Sequence, residues 1–292
     1  QKYYESDKLF YEDDSPAFIT HLEAFTRLNY SIATGGRSMV DFGVAYGYLN
    51  DKFYNNDASI LESSTERNRS HRHLGQLMVR WENNTLDNNL LPTSGRRIAA
   101  MAQGIISHYA FTPGAVKARS LMGEMKDSQS WGQVEFNIRD YYPIGDHLSL
   151  GYESTLLAST RKLVDNYNAA IVEAYSFQPT PSSYSLFNSR FRANSFVTLS
   201  AVPVYKFSDR FEMRASLNGF LPIRPIVATA DGGARYGDWF SKASFLGELS
   251  ATLKLPFANL SVYGTYQTCP GDKWGVGISF GYFILAPKLL RL

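Results

Sequence analysis

Hydrophobic and polar positions alternate along most of this chain with a period of two. That spacing puts successive side chains on opposite faces of a β-strand. Residues 38–50 show it most clearly: Val40, Phe42, Val44, Tyr46 and Tyr48 fall on one face, and Asp41, Gly43, Ala45 and Gly47 on the other. The pattern recurs over 17–30, where Phe18, Leu22, Ala24, Leu28 and Tyr30 oppose His21, Glu23, Arg27 and Asn29. It recurs again over 130–139, 211–221, 245–255 and 274–284. Fainter alternation marks 72–82, 97–111, 147–158, 166–175, 194–207 and 260–268. Together these predict about twelve strands. Tight polar turns such as Ser208-Asp209 join some of them, and longer stretches, 51–70, 84–96, 112–129, 176–193 and 222–243, join the rest.

A soluble sandwich would also alternate, but its polar faces would be rich in Lys and Glu. Here those faces favour Gly, Ser, Thr, Asn and Gln, and the aromatic residues gather at strand ends. Strands that are apolar outward, weakly polar inward and capped by aromatic girdles are expected of an antiparallel β-barrel that crosses a membrane. The reading is therefore all-β, a transmembrane antiparallel β-barrel over 17–285, with a lead-in segment 1–16 and a tail 286–292. No run reaches the ~18 apolar residues that a membrane helix needs, so the crossing would have to be made by a closed barrel. The chain starts at Gln1 with neither Met nor an apolar leader, which reads as a processed protein or a fragment.

Composition narrows the partners. Of 292 residues, 44% are hydrophobic, 14% aromatic and only 19% charged, with a formal net charge of +2. This balance lacks the basic excess of a nucleic-acid binder. The lone Cys269 can form no internal disulfide, and no cofactor or metal site is expected. His71 and His73 project to one face of a strand, but their neighbours Arg69, Ser70 and Arg72 favour a solvated loop edge. Glu66, Arg67, Arg69, Arg72 and His73 read as a mixed charged loop at a membrane face. Lys288 and Arg291 read as meeting headgroups or periplasm.

Several segments, in order, resemble the C-terminal barrel of patatin-like phospholipases from Bacteroidota. They are Glu82-Asn83-Asn84-Thr85-Leu86 followed by Leu91-Pro92-Thr93-Ser94-Gly95; Tyr109 with Thr112-Pro113-Gly114; and Asn166-Tyr167-Asn168-Ala169 with Phe177-Gln178-Pro179-Thr180-Pro181 and Ser183. Phe187 with Phe191-Arg192-Ala193-Asn194, Gly247-Glu248 and Phe280-Gly281-Tyr282 complete the set. The resemblance implies a barrel of sixteen strands, an even number as in bacterial barrels, related in design to the outer-membrane insertases and two-partner secretion transporters. It implies a loop directed into the lumen, carrying an arginine at the position of Arg192. It also implies an upstream lipase domain, not present in this chain, that the barrel anchors or translocates. The alternative is a non-catalytic structural subunit of an outer-membrane complex. Expected partners are outer-membrane lipids and lipopolysaccharide, and other outer-membrane or lipoprotein subunits.

Two strings look like lipase chemistry. Gly277-Ile278-Ser279-Phe280-Gly281 has the nucleophile-elbow spacing, and Asp231-Gly232-Gly233 resembles the patatin aspartate motif. The elbow needs a strand-to-helix turn that exposes the serine, whereas Ser279 falls in the middle of an alternating strand. No catalytic residue is therefore assigned. Arg192 is the candidate of structural importance. A charge inside a barrel needs a partner, and inward-facing Glu212, Glu248 and Glu153 are the carboxylates expected to latch it, with Glu212 and Glu248 foremost.

Overall fold

The computed structural model describes residues 2–3, 19–53, 67–114, 124–184, 187–268, 273–281 and 288–292. Phe18, Glu66, Cys269, Tyr282 and most of the lead-in segment lie outside these residues.

The protein is all-β. Eleven long strands follow one another up and down in one antiparallel sheet: β2 (Ile19–Gly35), β3 (Ser38–Phe53), β4 (Asn68–Asn84), β5 (Gly95–Thr112), β6 (Met125–Ile144), β7 (Leu148–Ser159), β10 (Phe196–Lys206), β11 (Phe211–Pro222), β14 (Ser244–Leu255), β15 (Ala258–Gln267) and β16 (Trp274–Gly281). A two-residue strand, β1 (Lys2–Tyr3), pairs with the start of β2. The short hairpin β12 (Ile226–Ala228) and β13 (Ala234–Tyr236) lies in the loop between β11 and β14, and β8 (Tyr175–Ser176) pairs with β9 (Arg192–Ala193) between β7 and β10.

The alternation in sequence becomes two chemically opposite faces. Outward side chains are apolar and exposed: Leu77 is 66% exposed and Val276 91%. Inward side chains are often polar and buried, including Asp41, Gln76, Gln103, Glu135 and Glu212. A water-soluble domain places these chemistries the other way round. Outward aromatic rings gather near strand ends, Tyr30, Trp81, Tyr142, Tyr205 and Phe280 at one end, and Phe245, Tyr266 and Trp274 at the other.

Turns of two to four residues close one end of the sheet, at 36–37, 145–147, 207–210 and 256–257. The first turn runs through Gly35 and Gly36, whose φ angles of 113° and 57° favour glycine. The opposite end carries the longer connections. The 85–94 loop departs from this division: it is long, yet it lies at the short-turn end. Gly95 closes it at φ 89°, where a Cβ would stand 2.2 Å from the Thr85 carbonyl oxygen.

One expected strand is a helix. Residues 166–175 contain α1 (Tyr167–Glu173), whose first turn is capped by Asn166 Oδ1 accepting from the Ala169 N–H at 2.9 Å. The alternation in that stretch comes from small and β-branched residues. Ala169, Ala170, Ile171 and Val172 are all buried, a continuous run that carries no strand period.

The sheet curls around its own chain. Inward side chains from across it (Leu74, Ile105, Trp131, Leu157, Phe196, Phe220 and Leu246) meet in one cluster with Tyr175, Phe191, Leu289 and Leu290. An odd number of long strands has a geometric consequence. β2 and β16 run in the same direction, so they cannot close on each other in the antiparallel pattern used everywhere else. Among the described residues no ladder joins them.

Candidate functional site: a filled lumen

Two segments occupy the concave side, the described residues of 160–193 and the tail 288–292. Both are held by charged or amide side chains that the strands direct inward.

The centre of the first segment is a buried ion cluster. Arg72 on β4 is 1% exposed, and its Nη2 donates to Glu173 Oε2 at 2.8 Å while its Nη1 donates to Ser107 Oγ at 2.7 Å. Arg161 meets the same carboxylate oxygen and also donates to the Glu173 carbonyl at 3.0 Å. One carboxylate therefore faces two buried guanidiniums. The remaining positive charge lies over aromatic faces, Arg72 4.7 Å from the Tyr109 ring centre and Arg161 5.2 Å from that of Trp131. This arrangement stabilises a desolvated cation. Burial pushes the Tyr175 hydroxyl up from its ordinary pKa, against the pull of nearby Arg161.

Arg192 closes α1. Its Nη1 donates to the carbonyls of Val172 at 2.6 Å, Ala174 at 3.0 Å and Ile171 at 3.3 Å. Arg192 thus caps the last carbonyls of the helix, that of Ile171 shared with the Ala174 N–H at 3.3 Å, and a cation there also suits the helix dipole. The Phe187 ring lies beneath it at 4.6 Å.

The expected latch differs in its partners. The described partners of Arg192 are these carbonyls rather than Glu212 or Glu248. Glu212 pairs with Lys254 at 2.6 Å and with Arg214 at 3.3 Å, and Arg214 in turn reaches the Pro92 carbonyl. Glu248 accepts from Ser182, in the one-turn helix Pro181–Tyr184, so it does hold the internal segment, through a serine. Glu153 pairs with Arg139 at 2.8 Å.

The tail crosses the inside of β2 to β6, and four of these strands donate or accept across it. The Leu289 N–H donates to Glu23 Oε1 at 2.5 Å, and Arg27 returns a bond to the Leu289 carbonyl at 2.5 Å. Gln76 reaches the Leu289 carbonyl at 3.0 Å, and Gln103 and Gln133 reach that of Leu290 at 3.0 and 2.8 Å. Arg291 binds both oxygens of Glu135, a bidentate geometry that fixes direction as well as charge. On β3, Gly47 leaves room for Leu289, because a Cβ there would lie 2.2 Å from its Cδ2.

Two sequence readings are corrected here. Arg72 is buried inside and is no part of a charged loop, and Arg291 points into the lumen rather than toward headgroups. Neither was legible in the sequence, because each partner lies about a hundred residues or more away. The one available signal was Gln76, Gln103 and Gln133, three inward amides at mid-strand.

A chamber of about 130 Å³ remains between the segments, lined by His21, Glu23, Asp51, Glu173, Arg192 and Ser176 among others. His21 Nδ1 and Asp51 Oδ1 are 2.5 Å apart, the orienting half of a catalytic triad. The nearby hydroxyl, Ser176 Oγ, donates to Gln178 instead. Ser279 lies on edge strand β16 opposite Ser261, and Asp231 sits in an exposed turn where Thr229 donates to it. Among the described residues no nucleophile, base and orienting acid converge, and no group of three His, Cys, Asp or Glu has metal-binding geometry.

No protein-family model matches the chain, and no curated protein matches it.

Proposed function

We propose that the chain is an integral barrel of a bacterial outer membrane, closed to free diffusion by its own internal segment, that anchors a patatin-like lipase domain outside this sequence. The observation that carries the membrane reading is the inversion of the two faces. Apolar side chains such as Leu28, Leu77, Leu217 and Val276 cover the convex surface, and carboxylates and amides are buried beneath them. In water that surface would be an aggregation hazard. In lipid it is the favourable solvent contact.

The anchoring role follows from the filled lumen. An open porin needs a continuous polar channel, whereas here Arg72, Glu173, Arg291 and Glu135 tie two segments across the interior. The lipase domain rests on the sequence resemblance alone. The alternative of a structural subunit in an outer-membrane complex draws on β2, bordered among the described residues only by the two-residue β1, and on β16 at the other edge. The two run parallel and would accept strands from elsewhere.

Alkaline carbonate extraction of native membranes tests the first part, and the chain is expected to stay in the pellet. Planar-bilayer recording tests the second, with no steady large conductance expected. Release into the supernatant, or stable large openings, would overturn the corresponding part. Phospholipid hydrolysis by the native full-length polypeptide tests the lipase assignment, and an inactive polypeptide favours the structural subunit.

A further inference from the structure

The convex surface near the long-loop end carries a layered pattern. Strands β3 to β6 lie side by side there, and their register sets outward residues in transverse rows. Val44, Leu77, Gly104 and Gly132 form an apolar row. Four residues nearer the loops, about 13 Å at the rise of a strand, Tyr48, His73, His108 and Ser128 form another. The next row is Asn50, His71, Ala110 and Lys126, and Arg69 lies beyond it. Three of the chain's five histidines thus stand together with a lysine and an arginine.

These groups are positioned. Arg69 donates to the Tyr48 hydroxyl at 3.3 Å and to Asn50 Oδ1 at 3.2 Å. Tyr46 Oη lies 2.9 Å from His73 Nδ1, and Ser128 Oγ 2.8 Å from His108 Nδ1. A cavity of about 430 Å³ opens among His71, His73, His108 and Lys126. Asp127 also lines it, and its carboxylate accepts from the Ser128 N–H and from Gln129. Below lies an apolar hollow of about 1160 Å³, whose lining includes Leu28, Val44, Leu77, Ala102 and Val134. Its floor is flat at Gly104 and Gly132, where an added Cβ would meet nothing within 4 Å.

We propose that this surface is a lipid site: the basic cavity binds a phosphate headgroup and the hollow below takes its acyl chains. A cationic cluster at headgroup depth above an apolar surface recognises anionic lipid. Long loops of such barrels face outward, so the ligand is a phosphorylated glycolipid of the outer leaflet, of the lipid A type. The inference rests on the membrane reading above.

The test uses the full chain in zwitterionic nanodiscs titrated with lipid A, with bound lipid counted by native mass spectrometry. Wild type is expected to retain lipid A, and R69Q/K126Q to bind about tenfold more weakly. H71Q/H73Q/H108Q, which removes three imidazole rings from the same cavity, should weaken binding severalfold. Equal binding by wild type and R69Q/K126Q overturns the inference alone, as does displacement of lipid A by millimolar inorganic phosphate, which would make this a free-phosphate site. Failure to enter nanodiscs overturns the membrane reading and this inference with it.

Discussion

The convex and concave faces of the sheet are written in the same residues, one position apart, yet they solve opposite problems. Outward, Leu77 and Val79 present exposed hydrocarbon. Inward on the same strand, Arg72, Gln76 and Arg80 each find a partner: Glu173, the Leu289 carbonyl and Asp41. The outer face needs only composition, because the hydrophobic effect is non-directional. The inner face needs geometry, because a buried polar group without a partner is costly. The outer face should therefore tolerate any apolar exchange, and the inner face almost none.

The largest effect is expected at the ion cluster. Glu173→Ala leaves Arg72 and Arg161 buried without a carboxylate and should cost about 3–5 kcal/mol. Urea unfolding in detergent micelles measures it. Replacing Arg72, Arg161 and Glu173 together by apolar residues of similar size should recover most of the loss. If the single variant is as stable as wild type, the interior is not as tightly packed as described.

On the other face, Leu77→Arg should cost about 2–4 kcal/mol if that position meets the middle of a bilayer. At an exposed site in water the same change is worth no more than about 0.5 kcal/mol. Refolding into lipid vesicles separates the two cases. Gly47→Val lies between the faces in character. Its side chain must push against Leu289, at an expected cost of about 1–3 kcal/mol, and should expose the tail to carboxypeptidase sooner than in wild type.

The smallest effect belongs to the 85–94 loop. Burial raises the pKa of Asp87, but the Thr93 hydroxyl and the N–H groups of Thr93, Ser94 and Asn88 outweigh it and hold the carboxyl below its ordinary value. A lowered folded-state pKa adds stability above the unfolded value near 3.9 and loses it as pH falls through the folded value. Asp87→Asn should therefore reduce stability at pH 7 by no more than about 1 kcal/mol, with the difference from wild type shrinking as the pH falls through the folded-state value.

The same contrast explains what the sequence disclosed. Strand positions and the outward face were legible in Val40 to Tyr48 and in Phe211 to Leu221, because period-two alternation is a local property. The inward faces were only half legible. Leu74, Ile105 and Phe196 are apolar on the concave side because they dock the internal segment, which no local window reveals. Arg192 was singled out for a carboxylate latch, whereas its described carbonyl partners exist only once 167–173 turns helical. The tail was read as a headgroup contact because its true partners, Glu23, Gln76 and Glu135, lie 156 to 266 residues earlier in the chain.

The most direct test of the central contrast is the environment of single cysteines on the two faces. Cys269 would first be replaced by serine. Cysteines at Leu77, Leu217 and Ser107 would then carry an environment-sensitive fluorophore in lipid vesicles. Labels at Leu77 and Leu217 are expected to emit blue-shifted and to be quenched by lipid-borne nitroxide but not by iodide, and Ser107 to resist labelling until the protein is unfolded. Iodide quenching at Leu77 and Leu217, with free labelling at Ser107, would contradict both the lipid-facing exterior and the filled interior.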